Sequence, residues 1–258
     1  MKFSAVLVSS VLFFAGALAR PSRLAERIAA REGRKSNVLN FNVGTENTNK
    51  THAETSTNWS GVVIENPPAG STFSSVVGTF TIPTPSGNGA ASGWVGIDGD
   101  TAQNSILQAG VDFTVSGGRV SFDSWVEWFP NFAQDVSFTV AAGNSVRITC
   151  TATSSTRGTV LFENLTTGKT LTQAVSAPSS SAALQGLNAE WIVEDFEEGN
   201  SLVPLTNWGT VTFTSATAKT NTGSSVSAGT GTIINMVQNG DVLTSVSTSG
   251  STVTVRHT

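Results

Sequence analysis

The chain has one cysteine and two histidines among 258 residues, and only six basic side chains after residue 50. Each scarcity removes a class of chemistry. Cys150 has no partner for an intramolecular disulfide, even where export would permit one, so stability must come from burial. It alternates in Val146-Arg-Ile-Thr-Cys150-Thr-Ala as a strand residue does, and reads as a small core side chain rather than a nucleophile. His52 and His257 stand near the two ends of the segment after residue 50, where chains fray. Ser–His and Cys–His catalysis are therefore unsupported, no His/Asp cluster offers a zinc site, and neither metal nor cofactor is expected.

From residue 51 on, the six bases (Arg119, Arg147, Arg157, Lys169, Lys219 and Arg256) face fifteen acids, a net charge of −9 with histidine neutral. Nucleic acid is excluded as a partner. At about pH 3 to 4 most carboxylates approach neutrality while every base stays charged. With so few bases the resulting self-repulsion stays small, which points to an acidic working environment; an ordinary acidic secreted domain would have the same composition.

Beyond the N-terminus no run approaches the roughly 20 apolar residues of a membrane-spanning helix. Residues 1–19 carry Lys2, an apolar stretch from Ser4 to Leu18, and Ala17-Leu-Ala19, the pattern of a secretory signal peptide. A secreted protein, free of the membrane in its mature form, is the expectation. Residues 20–50 change character: Arg20, Arg23, Arg27, Arg31, Arg34 and Lys35 face only Glu26, Glu32 and Glu46, and an Asn/Thr-rich stretch follows. Residues 23–32 have the composition of a short helix, and the segment reads as a basic propeptide and linker, although a disordered tail would look similar. Maturation is placed between Asn49 and Asn58. The remainder, 51–258, suffices for one domain with a large core. Asn49, Asn58 and Asn164 head possible glycosylation sequons.

Within 51–258 short alternating or apolar runs are bounded by Gly, Pro, Asn and Ser, with almost no helical periodicity. Many strands at this spacing predict an all-β sandwich. The Ser/Thr/Gly-rich stretch from Ser215 to Thr232 looks like a linker, but the strand pattern and Asn239-Gly240 turn behind it make it part of the same domain.

Strand period two then sorts side chains by face. Gln108 shares a face with Gly110 and Asp112, Trp125 with Glu127, Glu190 with Glu194, and Trp94 with Gly96 and Asp98. With these strands side by side, one sheet face carries Gln, Glu, Asp and Trp together, a substrate groove rather than a core. Such a face suits sugar rings or extended peptides, and a carboxylate must serve as both base and acid.

Several of these stretches, taken in order, resemble the glutamic peptidases, or eqolisins. They are Asn58-Trp59-Ser-Gly61, Trp94-Val-Gly-Ile-Asp98-Gly-Asp100, Ile106-Leu-Gln108-Ala-Gly-Val-Asp112, Trp125-Val-Glu127-Trp128-Phe-Pro130, Glu163-Asn-Leu-Thr-Thr-Gly168 and Ala189-Glu190-Trp-Ile-Val-Glu194-Asp195-Phe-Glu-Glu198. The resemblance runs from about Asn58 to the C-terminus. It implies a concave sandwich of two antiparallel, roughly seven-stranded sheets and a secreted, acid-active endopeptidase made as a proenzyme. It also implies a catalytic dyad of Gln108 and Glu190, with Trp94, Asp98, Trp125 and Glu127 supporting or lining the site. Family members often have disulfides; this chain has none. The dyad is expected to meet across neighbouring strands and hold one water against a peptide bond. Protein or peptide substrates are the expected partners of a monomeric enzyme.

The alternative is a glycoside hydrolase, or a sugar- or peptide-binding module, on a lectin-like sandwich. Glu194-Asp-Phe-Glu197-Glu198 loosely resembles the clustered carboxylates of laminarinase-type enzymes, but residues three apart point to opposite faces of a regular strand. Glu194, Asp195, Glu197 and Glu198 are accordingly read as a solvated acidic strand end.

Overall fold

The computed structural model describes residues 34–39 and 53–258. The predicted signal peptide, the short helix of residues 23–32, the Asn49 sequon and His52 lie outside the described residues.

Fourteen main strands follow in chain order: β1 (Ala53–Ser56), β2 (Trp59–Ile64), β3 (Phe73–Thr81), β4 (Gly89–Ile97), β5 (Ile106–Ser116), β6 (Arg119–Phe129) and β7 (Ser145–Ser154), then β8 (Arg157–Asn164), β9 (Lys169–Ser176), β10 (Ala189–Glu194), β11 (Thr210–Thr220), β12 (Thr232–Gln238), β13 (Thr244–Ser249) and β14 (Thr252–His257). They form two sheets. One runs β12-β2-β10-β4-β5-β6, with β1 added in parallel to β12; the other runs β9-β8-β7-β3-β11-β14-β13. Each therefore has seven main strands, as expected, and short edge strands bring the totals to nine and eight. A small third sheet joins Arg34–Lys35 to Glu197–Glu198 and Ser201–Leu202. No helix among the described residues is long and apolar enough to cross a membrane.

Alternation places each strand. In β7 the residues Val146, Ile148 and Cys150 are buried, and in β8 Gly158, Val160, Phe162 and Asn164 are, while their neighbours are more exposed. The inward set packs on Val95, Leu107, Ala109, Val111, Phe113, Trp128 and Trp191 from the other sheet and closes the core between the layers. Strands β2 and β10 are buried at every position because both of their faces are covered. Their second face belongs to a separate apolar cluster of Leu39, Trp59, Val63, Trp94, Ile106, Trp125, Ile192 and Ile234. The six tryptophans thus divide by layer: Trp128, Trp191 and Trp208 are core, whereas Trp59, Trp94 and Trp125 pave the outer face of the nine-stranded sheet.

Turn chemistry follows the sequence. Gly117 and Gly118, at φ 56° and 75°, reverse the chain between β5 and β6, and Asn239-Gly240, at 53° and 89°, reverses it after β12. Both dipeptides hold two successive positive-φ positions, the requirement of a tight hairpin that follows strand twist. The stretch from Ser215 to Thr232 contains the end of β11 and the short strand Ser225–Ser227, so it belongs to the sandwich. Cys150 is buried and free, and burial pushes its thiol up, which removes it from chemistry.

Candidate active site

Sheet register gathers the site. Glu190 on β10 pairs with Val63 on one side and Gly96 on the other; Gly96 pairs with Gln108 of β5, and Gln108 with Glu127 of β6. Glu190 and Gln108 therefore lie in one row on one face. They are not on neighbouring strands as the sequence suggested, because β4 runs between them. Two strand spacings put their backbones about 10 Å apart. Glycine at position 96 leaves no side chain between the two: a Cβ there would come 3.0 Å from the Trp94 ring, 3.3 Å from Gln108 Cβ and 3.3 Å from Glu190 Oε2.

Both side chains are fully buried, and none of their four polar atoms has a hydrogen-bond partner among the described residues. Such atoms usually find partners, and each one left without costs about 1 to 3 kcal/mol. Two such side chains in one row on either side of a glycine mark the candidate site of this sheet. Burial raises the Glu190 carboxyl well above its ordinary value, and the charges of Asp98 and Asp100 add to the shift.

The other expected site residues divide into those on the face and one behind it. The Trp94 ring lies beside Gly96, packs edge-on against Trp59 with centroids 4.9 Å apart, and donates its Nε1–H to Glu194 Oε2 at 2.8 Å. Trp125 is part of the floor and donates to the Ser92 hydroxyl at 3.1 Å. Glu127 sits beside Gln108 and receives the Ser36 N–H at 3.5 Å. Asp98 has left the strand: at φ 68° it turns the chain after β4, and its carboxylate accepts the N–H groups of Gln185, Gly186, Leu187 and Asn188. Burial raises its carboxyl, and those four donors oppose the rise. Asp98 thus braces the loop entering β10, two residues before Glu190. Asn188 completes the brace, its Oδ1 accepting the N–H groups of Asp100 and Ala102.

Glu194 and Asp195 correct the sequence reading. Neither is a solvated strand end: Glu194 is fully buried on the groove face and Asp195 is buried on the other. Burial pushes Glu194 up to about 8, against hydrogen bonds from Ser36, Asn37 and Trp94, and pushes Asp195 up to about 7, against one from Gln238. Only Glu197 and Glu198 are more exposed, and they pair with Arg34–Lys35. The period-two pattern had already put Glu194 on the face of Glu190; the run of acids obscured it. The glycosidase pairing of Glu194 with Glu197 has no basis here, since the two lie on different strands.

Residues 34–39 lie on this face. Arg34 Nη1 meets Asp112 Oδ2 at 2.6 Å, and its guanidinium stacks 4.4 Å from the centre of the Phe196 ring. Asn37 N–H reaches Glu194 Oε1 at 3.1 Å, Trp59 Nε1–H reaches Asn37 O at 2.9 Å, and Leu39 N–H reaches Gly99 O at 3.2 Å. The Asn58 amide of the second sequon also turns toward this segment, with Nδ2 3.4 Å from Val38 O.

The structure is thus a two-layer β-sandwich with buried carboxyl and carboxamide groups gathered on one sheet face. The model of the Peptidase A4 family matches residues 57–257, and the chain belongs to that family. It is 39% identical to aspergillopepsin-2 of Aspergillus niger over the whole of both chains, and 38% identical to scytalidopepsin B of Scytalidium lignicola over 98% of each. Among solved structures, scytalido-glutamic peptidase with a transition-state analogue inhibitor superposes with a TM-score of 0.71 at 37% identity, covering 78% of this chain and 98% of that one. Aspergilloglutamic peptidase from Aspergillus niger gives 0.62 at 46% identity, over 66% and 99%. The chain is a glutamic peptidase of the eqolisin type, a hydrolase of peptide bonds.

Proposed function

We propose that this peptidase is a secreted, acid-active endopeptidase whose chemistry is carried by Glu190 and Gln108. The observation that supports this most directly is the row Glu190–Gly96–Gln108, whose two polar side chains carry four buried atoms without a partner among the described residues. Ionised Glu190 takes a proton from a water between the two side chains as that water attacks the scissile carbonyl carbon. The Gln108 amide N–H donates to the oxyanion that forms, and being uncharged it keeps that capacity at low pH. The tetrahedral intermediate collapses as protonated Glu190 returns its proton to the departing amine nitrogen. The C–N bond breaks, and an acid and an amine leave.

Covering the groove bears on the base. Burial raises the Glu190 carboxyl and so favours its neutral form, and a neutral carboxyl cannot remove the proton. Opening the groove to water lowers the carboxyl toward its ordinary range, where it ionises at mildly acidic pH. The Arg34–Asp112 ion pair ties residues 34–39 to the face, so its loss would loosen their hold. Processing upstream of Ala53 would leave β1 in its sheet.

The test is digestion of a denatured protein across pH 2 to 7 by wild type, Gln108→Ala and Glu190→Gln. Acid-limited cleavage by wild type, nearly abolished in Glu190→Gln, is the expected result. A folded Glu190→Gln protein that still digests the substrate refutes the dyad.

A further inference from the structure

Residue Asn37 is held by both of its backbone polar groups at once. Its N–H goes to Glu194 Oε1 at 3.1 Å and its carbonyl receives the Trp59 Nε1–H at 2.9 Å. One residue exchanging an N–H and a C=O with a partner is the pattern of an antiparallel strand pair, here supplied by two side chains. The partners are prepared for it. Glu194 and Trp59 are opposite each other in the β10–β2 register, and both are fully buried. The second Glu194 oxygen is fixed by Trp94 Nε1 at 2.8 Å, so the first points at the bound chain. The Trp59 ring is fixed edge-on against Trp94, and its far edge reaches Gly99, whose carbonyl takes the Leu39 N–H.

We infer that Glu194 and Trp59 form a main-chain clasp that binds extended peptide substrates by the N–H and C=O of one residue, whatever its side chain. The inference rests on the peptidase reading of the groove and adds to it where a substrate is gripped. Glu194 lies four residues from Glu190 on the same face of β10, about 13 Å along the strand, the reach of roughly four extended residues. The clasp therefore sets the register of the substrate on the face and touches no reacting atom. A peptidase digesting unfolded chains of varied sequence has the backbone as its constant handle, and two buried side-chain groups read it without selecting a side chain.

Each of the two Glu194 oxygens faces an N–H donor, and a carboxamide puts an NH2 group, which cannot accept, in the place of one of them. Glu194→Gln cannot serve both the Trp94 N–H and a substrate N–H, yet it keeps volume and shape. The secreted protein, as purified, is challenged with a capped hexapeptide of residues 34–39 and with the same peptide N-methylated at the Asn37 position. Binding is read by calorimetry and by inhibition of cleavage. N-methylation should weaken binding to wild type about tenfold, and by less than about twofold to Glu194→Gln. Trp59→Phe, which keeps a ring without the donor, should raise KM for protein fragments about tenfold with kcat within about twofold. Equal penalties from N-methylation in wild type and Glu194→Gln overturn the clasp, as does a Trp59→Phe enzyme that loses kcat and keeps KM. Calorimetry separates this from the peptidase reading: differential binding in a protein that cleaves nothing sustains the clasp and sinks the dyad, and cleavage without it does the reverse.

Discussion

Replacing Gly96 by alanine adds one methyl group between Glu190 and Gln108. Its backbone φ lies outside the positive range, so alanine meets no conformational penalty there, and alanine is favoured over glycine in a strand by roughly 0.5 to 1 kcal/mol. Against that gain, the methyl stands 3.0 Å from the Trp94 ring and 3.3 Å from both Gln108 Cβ and Glu190 Oε2, so neighbours must give way by a few tenths of an ångström. Net stability should therefore change by less than about 1 kcal/mol, a shift of a few degrees or less in Tm for a domain of this size. Activity should not be so tolerant. In the proposed mechanism the methyl occupies the place of the attacking water and the substrate carbonyl, and a misplacement near 1 Å costs about 100-fold. The expected result is a normally folded protein with kcat/KM down about 100-fold or more. Gly117→Ala is the control: at φ 56° it carries backbone strain but meets no neighbour, so it should cost about 1 kcal/mol and leave catalysis intact. A Gly96→Ala enzyme that retains a third of wild-type kcat/KM shows that the space over Gly96 is not where the reaction occurs.

Gln108→Ala should lower kcat about 100- to 1000-fold with Tm nearly unchanged, because it removes the proposed oxyanion donor, which has no partner among the described residues; a loss under tenfold assigns that donor elsewhere. Glu194, Asp195 and Asp100 have carboxyls raised to about 8, 7 and 6, so the folded state binds more protons than the unfolded one between about pH 4 and 8. Stability from these groups is full below about pH 4 and is lost as pH rises through those values, so Tm should fall by at least about 5 °C from pH 4 to pH 8. A flat or rising profile over that window contradicts the assignment. Asn164, head of the third sequon, is buried, donates to Asn144 Oδ1 at 2.9 Å and accepts the N–H groups of Thr166 and Thr167. Asn164→Ala should cost about 2 kcal/mol in chemical unfolding, since it orphans those groups, and a cost below about 0.5 kcal/mol would deny the residue its structural role.

Parity arguments carried far in this chain because the strands are regular. Period two alone put Gln108 with Asp112, Glu190 with Glu194, and Trp94 with Gly96 on shared faces, and the sheet keeps each of these groupings. Parity says nothing of strand order, which is why β4 came between the two members of the proposed dyad. Asp98 was misread in a different way. Counting by twos assumes the strand continues, and at a positive φ the chain has already turned, so its carboxylate serves backbone amides instead of the groove. Glu194 and Asp195 were hidden by composition, since a run of acids reads as surface until tertiary contacts show what covers it. The contacts of residues 34–39 with Asp112, Glu194 and Gly99 join parts of the chain more than 50 residues apart and have no local signal at all.

The indole nitrogen of Trp59 spends its hydrogen bond on a carbonyl of the segment that maturation would remove, and its ring stacks edge-on with Trp94. Departure of that segment would strip a polar partner from one indole and admit solvent to two. In a chain with six tryptophans and no tyrosine, intrinsic emission comes from indole alone. Unmasking of the groove should then appear as a red shift, and the enzyme would carry its own optical clock for activation.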